Sequence, residues 1–385
     1  MRADKAQPRV TKAAPEESGP VQPAPALPGP GQAAAPAKTG AAAWYSMRWL
    51  ERLWVRPAAV REAPEATAVR RIAVVTDSAA ALPPEWLDAD GAAHGVVIVP
   101  MPVMIAGRIF GEGTDDLTGP LSVALAEGAE VRTSRPSPGQ FESVYRKLEA
   151  DGAMGILSVH LSGDLSGTTD AARWAAAAVS IPVEIVDSRT VGMAMGFGVA
   201  AAQAGAHDGL DLASAAAVTR TVCASSTLRF LVPSLEQLRK GGRIGAAASV
   251  LGTLLSVKPI LSVQEGRILP LERVRSTAKA TARLIDLVEA DLADRPDAVV
   301  AWHYFGNQAQ VQELAKDFQR RHPQVRTVLA QLPAVLAAHT GLGVVAVAVA
   351  GRIDDEDATR GDDVGAGDPR ETAGRDGAAR NSTPD

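Results

Sequence analysis

An alternation of short apolar runs with helix-patterned segments constrains this chain more than anything else in it. In "RIAVVTDSAAALP" the run Ile72–Val75 ends in Thr76-Asp77-Ser78. "GILSVH" ends in "LSGDLSGTT" and gives way to an alanine-rich segment. "PVEIVDS" passes through Asp187-Ser188 and Gly192 into "MAMGFGVAAAQAGA". Apolar runs bounded by cap and turn residues read as buried strands, and strands alternating with helices predict parallel α/β architecture. Asp77-Ser78 and Asp187-Ser188 read as strand-end caps. Gly192, Gly196 and Gly198 read as close packing of the helix they begin. "HGVVIVPMPVMIAGRIFGEG" predicts a strand and a hairpin about Ala106-Gly107, and "LTGPLSVALAEG" a helix with Pro120 in its first turn. "VRTSRPSPGQFESVYRKLEADG" predicts a loop and then a helix.

After Leu228 the pattern changes. "FLVPSLEQLRKGGRIGAAASVLGTLLSV" predicts two helices about a glycine turn. "KPILSV" and "RILPLERV" predict a hairpin turning at Gln264-Glu265-Gly266, and "AKATARLIDLVEADLA" an amphipathic helix. A second α/β unit follows. The expected organisation is one lobe over residues 70–228 and another over 229–353, with a ligand between or within them. "TVLAQLPAVLAAHTGLGVVAVAVAG" is long and uncharged, but Gln331, Pro333, His339-Thr340 and its glycines argue against a membrane span. Strand, glycine loop, strand is the expectation there.

The two ends differ from this body. Residues 1–69 carry nine Lys/Arg against six Asp/Glu, and residues 354–385 carry ten acids against four arginines. Neither has the apolar content for a core, so both are expected to be disordered. The body between them is nearly neutral, which gives no electrostatic case for nucleic acid. One cysteine, Cys223, excludes an internal disulfide framework and fits a reducing compartment as a core thiol. The first residues lack an apolar signal region, so a cytoplasmic protein is expected. Within the N-terminal extension, 44–56 reads as a short aromatic and basic helix. Met47, Leu50 and Trp54 share one flank, and Arg48, Arg52 and Arg56 recur every fourth residue. Three readings stand for it: a helix on an anionic membrane surface, a helix docked on the body, or a chain that begins at Met47.

The stretch from Gly155 to Ala178 carries the chemistry. Two Ser-Gly pairs and two threonines lie where a strand hands over to a helix. The first helical N–H groups have no intrahelical partner and the helix dipole is positive there, so such a place suits an anion. The same residues also suit an ordinary N-cap. Elsewhere, "TSRP" has the composition of a turn, and the glycines before Arg243 serve backbone geometry. His339 and His303 fit either hydrogen-bonded structural roles or function. There is no Gly-Lys-Ser/Thr phosphate loop, no Gly-x-Gly-x-x-Gly after a strand, no metal-ligand spacing and no Gly-x-Ser-x-Gly elbow.

In chain order, "VTDSAAALP", "TSRPSPGQF", "HLSGDLSGTTDAA", "VDSRTVGMAMGFG", "LRKGGRI", "LLSVKPIL" and "HTGLG" resemble the DegV family of bacterial fatty-acid-binding proteins. The resemblance spans Ile72 to Gly351. It implies a two-lobed α/β fold that encloses one long-chain fatty acid. The lipid is then presented to a separate fatty acid kinase subunit, which phosphorylates it to acyl phosphate for phospholipid metabolism. That picture makes the protein a lipid-binding carrier, with no catalytic residue, metal or cofactor of its own. The carboxylate ligands it implies are Thr133 and Ser166. Ser134, Ser162, Gly167, Thr168, His339 and Thr340 are implied as close neighbours, and Arg243 as a head-group or partner contact. Two positions depart from the family. Arg135 stands where glutamine is usual, and either lends charge to the head group or points to solvent. Leu342 replaces the proline usual in the His-Thr-Gly loop, which loosens the geometry around His339.

The chemistry is consistent with such a ligand. About fourteen buried methylenes contribute roughly 11 kcal/mol gross, reduced by association and ordering costs. The tail thus sets affinity and the head sets orientation. Neutral donors leave a carboxylate oxygen free to react, whereas a bidentate arginine would occupy both oxygens. The alternative class is an enzyme acting by itself, a phosphotransferase or acyl hydrolase with His339 as base or phosphate acceptor.

Overall fold

The computed structural model describes residues 72–350, apart from 84–85, 87–95, 112–115, 245–257, 294 and 296–297. The extensions at either end, the 44–56 helix and the second helix expected after Arg243 lie outside the described residues. β1 (Ile72–Asp77) runs two residues beyond the expected end at Val75. The polar residues that extend it find partners at once. The Thr76 hydroxyl donates to the Val159 carbonyl at 2.8 Å, and Asp77 accepts the Ala79 N–H at 3.0 Å.

Next come β2 (Val97–Val99), β3 (Pro102–Ile105), β4 (Arg108–Gly111) and α1 (Thr118–Glu127). β5 (Val131–Thr133) leads into α2 (Pro138–Ala150), whose start is a reciprocal capping box between Ser137 and Gln140. β6 (Gly155–His160), α3 (Thr168–Ala176), β7 (Val183–Asp187), α4 (Met193–His207) and α5 (Leu212–Ser225) complete the first lobe. Its main sheet has the order β2-β1-β6-β7 and is parallel throughout, as the alternation predicted. A small antiparallel sheet, β4-β3-β5, stands beside it.

The second lobe holds β8 (Thr227–Leu231), α6 (Glu236–Lys240), β9 (Lys258–Gln264), β10 (Arg267–Val274) and α7 (Thr277–Ala293). It continues with β11 (Val299–Phe305), α8 (Gln308–Arg321), β12 (Arg326–Gln331), α9 (Ala334–Thr340) and β13 (Val344–Val349). The sheet order is β10-β9-β8-β13-β11-β12. Only β11 and β12 pair in parallel. The β9–β10 hairpin turns where expected, with Glu265 and Gly266 both at positive φ, the geometry of a two-residue hairpin loop.

One expectation is corrected between Arg326 and Val349. The connection there is not a bare glycine loop, because α9 forms within it. Three of the seven residues in its sequence "AVLAAHT" are alanine, the strongest helix former, and Pro333 at its start stands where no N–H is needed. This helix is seven residues long. No helix among the described residues is long and apolar enough to cross a membrane.

α4 is buried almost all round and packs on β1 and β6 of one main sheet and on β8 and β13 of the other. Its glycines and alanines let both sheets approach closely. The largest core cluster runs across both lobes through this helix. On the far face of the second sheet, Trp302 meets Phe318 edge-on, ring centroids 5.5 Å apart, beneath α7 and α8.

Candidate functional site

Three elements that are remote in sequence are brought to one place by this fold. α9 packs against β3 and β5 and so carries His339 to Thr133. The Thr133 hydroxyl and His339 Nε2 lie 2.8 Å apart. The loop between β6 and α3 supplies Ser166, whose hydroxyl bonds to that of Thr168 at 2.9 Å. Arg243, just beyond α6, closes the same end from the second lobe.

These groups stand at the mouth of a cavity whose empty space, counted out through its open end, is about 800 Å³. Thr133, Ser134, Arg135, Ser166, Arg243, His339 and Thr340 line it. Away from them the wall is apolar, built from both lobes by residues such as Leu161, Val191, Phe230, Val263 and Ile268. His303 is the other polar side chain in the lining.

Not every residue singled out in the sequence faces the cavity. Ser162, Gly167 and Thr168 do not line it. The buried Ser162 hydroxyl donates instead to the Gly266 carbonyl at 2.8 Å, tying the β9–β10 hairpin to the head of the β6–α3 loop. Gly167 is the N-cap of α3, with no side-chain cap bond. Thr168 is buried behind Ser166. The ordinary N-cap reading of the Ser166 hydroxyl therefore fails, since its partner is Thr168 and not a helical N–H.

Arg135 does more than face solvent. It is exposed, and its Nη1 donates to the Gly167 carbonyl at 3.2 Å. Arg243 Nε donates to the Leu165 carbonyl at the same distance. Two guanidinium groups thus grip the peptides on either side of Ser166. Sequence spacing carried no signal of that pairing, because the arginines come from different lobes. Leu342 packs against Gly306 and leaves His339 anchored through Thr133.

Both cavity histidines are neutral near pH 7. Burial, then the positive charge of Arg243, pulls His339 down to about 4. Burial pulls His303 to about 4 against the opposing hydrogen bond to Ala330. His303 Nε2 accepts the Met193 N–H at 3.1 Å, so Nδ1 carries the proton and donates to the Ala330 carbonyl at 3.1 Å. With both nitrogens engaged, His303 serves as wall. Cys223 is buried, its thiol pushed up to about 12 by burial and by the Asp187 charge. Among the described residues no His, Cys, Asp and Glu side chains cluster in a way that would hold a metal ion.

An apolar cavity, open at one end and with hydroxyl donors and cations among its lining residues, has the chemistry to take an amphipathic anion. Residues 71–352 match the model of the DegV family, described as "Uncharacterised protein, DegV family". The chain belongs to the DegV family. It is 39% identical over 284 residues to a DegV domain-containing protein of Streptomyces coelicolor, covering 74% of this chain and 99% of that one. It superposes on a DegV family protein from Thermus thermophilus, described as binding fatty acid. The TM-score is 0.67 and the identity 32%, covering 73% of this chain and 99% of the other. DegV of Bacillus subtilis, described as a fatty acid binding protein, matches with TM-score 0.68 and 25% identity, covering 74% of this chain and all of that one.

Proposed function

We propose that this protein binds one long-chain fatty acid and presents its carboxylate, in the cytoplasm, to a separate kinase subunit for phosphorylation to acyl phosphate. One observation carries the reading: polar side chains gather at the mouth of the cavity while its depth is apolar. The head group lies against Thr133 and Ser166, within reach of Ser134, His339 and Thr340. The arginines already spend hydrogen bonds on the Gly167 and Leu165 carbonyls, so they lend charge without a bidentate grip. A carboxylate held this way keeps an oxygen free to attack phosphorus. Ser162, Gly167 and Thr168 act one step back, by shaping the loop that holds Ser166.

The contact between Thr133 and the neutral His339 ring also favours a second reading, an enzyme in which His339 acts as base without a partner. Incubating the protein with ATP and oleate separates the two. The carrier forms no acyl phosphate alone and forms it only when a fatty acid kinase subunit is added. Acyl phosphate formed by the protein alone overturns the carrier reading.

A further inference from the structure

Asp77, Ser78 and Ala79 follow one another at the end of β1, and none of them lines the cavity. Each holds a residue that does. Asp77 Oδ2 accepts the Leu161 N–H at 3.1 Å. Ser78 Oγ accepts the Met101 N–H at 3.2 Å. The Ala79 carbonyl accepts the Gly192 N–H at 2.8 Å. Leu161, Met101 and Gly192 come from the end of β6, the link between β2 and β3, and the start of α4, and all three line the cavity. Gly192, at φ 64° and ψ −154°, occupies a region that only glycine adopts readily.

Asp77 is itself fixed from behind. The Tyr145 hydroxyl donates to Ser158 Oγ at 2.8 Å, Ser158 Oγ lies 2.8 Å from His160 Nε2, and His160 Nδ1 lies 3.0 Å from Asp77 Oδ2. Ser158 accepts from Tyr145 and therefore donates to Nε2. The ring then carries its proton on Nδ1 and donates to the carboxylate. Ser158, His160 and Asp77 have the connectivity of a hydrolytic triad. All three are fully buried, however, and the Ser158 hydroxyl is enclosed between Tyr145 and His160, so no substrate reaches it. The chain of donors serves to hold Asp77.

We infer that Asp77 and Ser78 are positioning residues of the lipid pocket. Three successive residues set the walls contributed by β6, the β2–β3 link and α4 relative to one another, and with them the acyl chains that fit. The inference rests on the lipid-binding reading above. Ser78→Ala removes the acceptor for the Met101 N–H, while Ser78→Thr keeps a hydroxyl. Thr219→Val is the control, since it removes a buried hydroxyl bond to Ala215 inside α5, away from the cavity.

The measurements are the release rate of bound oleate, competition among myristate, palmitate, oleate and arachidate, and hydrogen exchange at the Met101 amide. Ser78→Ala is expected to release oleate about tenfold faster, the size of one lost hydrogen bond, to change the chain preference and to speed Met101 exchange. Ser78→Thr is expected to restore the wild-type values, and Thr219→Val to lower the melting temperature without altering release. Should Ser78→Ala not fold, Ser78→Cys, with its weaker acceptor, gives the same readout. Wild-type release and chain preference in the Ser78 variant, with only a lowered melting temperature, overturns the inference. A wild-type protein that takes up no fatty acid overturns the lipid-binding reading instead, and the inference with it.

Discussion

At the scale of single residues, the site combines neutral hydroxyls with two cations that are already engaged. Hydrogen bonds to a charged group contribute about 1.5–3 kcal/mol each. Thr133→Ala with Ser166→Ala is therefore expected to weaken oleate binding by roughly 100-fold or more, with the circular dichroism spectrum unchanged. Unaltered affinity in the double variant would remove both residues from the head-group site. His339 gives a pH signature. Its folded value of about 4 lies below the ordinary 6.5, so between those values the unfolded chain binds more protons. The stability tied to neutral His339 is complete above pH 6.5 and is lost as the pH falls toward 4. Denaturant titrations at pH 7 and pH 4.5 are expected to show the wild type losing roughly 2 kcal/mol more than His339→Gln does. Equal losses would contradict the burial of a neutral ring.

At the scale of elements, α4 joins the two sheets and tolerates little added volume. A methyl group at Gly198 would overlap Cys223 Sγ on α5, and overpacking of this kind costs about 1–3 kcal/mol. Gly198→Ala is expected to lower the urea midpoint of unfolding accordingly. Gly198→Ala with Cys223→Ala, which removes the obstructing sulfur, is expected to recover part of the loss, and no recovery would refute this packing. These glycines were legible as close packing because small residues at a helix start leave room for neighbours. The strands of the parallel sheet were legible too, since their apolar runs end in caps. α9 was not, because a seven-residue helix between two apolar strands leaves no separate periodicity. The head-group candidates Thr133, Ser166 and His339 came from motif resemblance, and the cavity brings all three together. The grip of Arg135 and Arg243 on the Ser166 loop, and the bond from Ser162 to Gly266, had no counterpart in the sequence. Each joins segments whose meeting depends on how the two sheets pack.

At the scale of the whole molecule, the two sheets and the helix between them enclose a chamber with a polar mouth. In the function proposed above, its apolar depth supplies most of the binding free energy and the mouth fixes which end of the ligand faces out. The aromatic and basic segment 44–56 lies outside the described residues, and contact with a membrane surface is one of the three roles open to it, beside docking on the body and a chain that begins at Met47. On the membrane role, full-length protein is expected to float with anionic liposomes more than a version beginning at Arg70, and equal flotation would refute that role. The lipid cargo is tested most directly by native mass spectrometry of the purified full-length protein, followed by lipid extraction. A single adduct of one fatty acid per chain, exchangeable with added oleate, is the expected result. A bare protein mass that takes up no added fatty acid would contradict it.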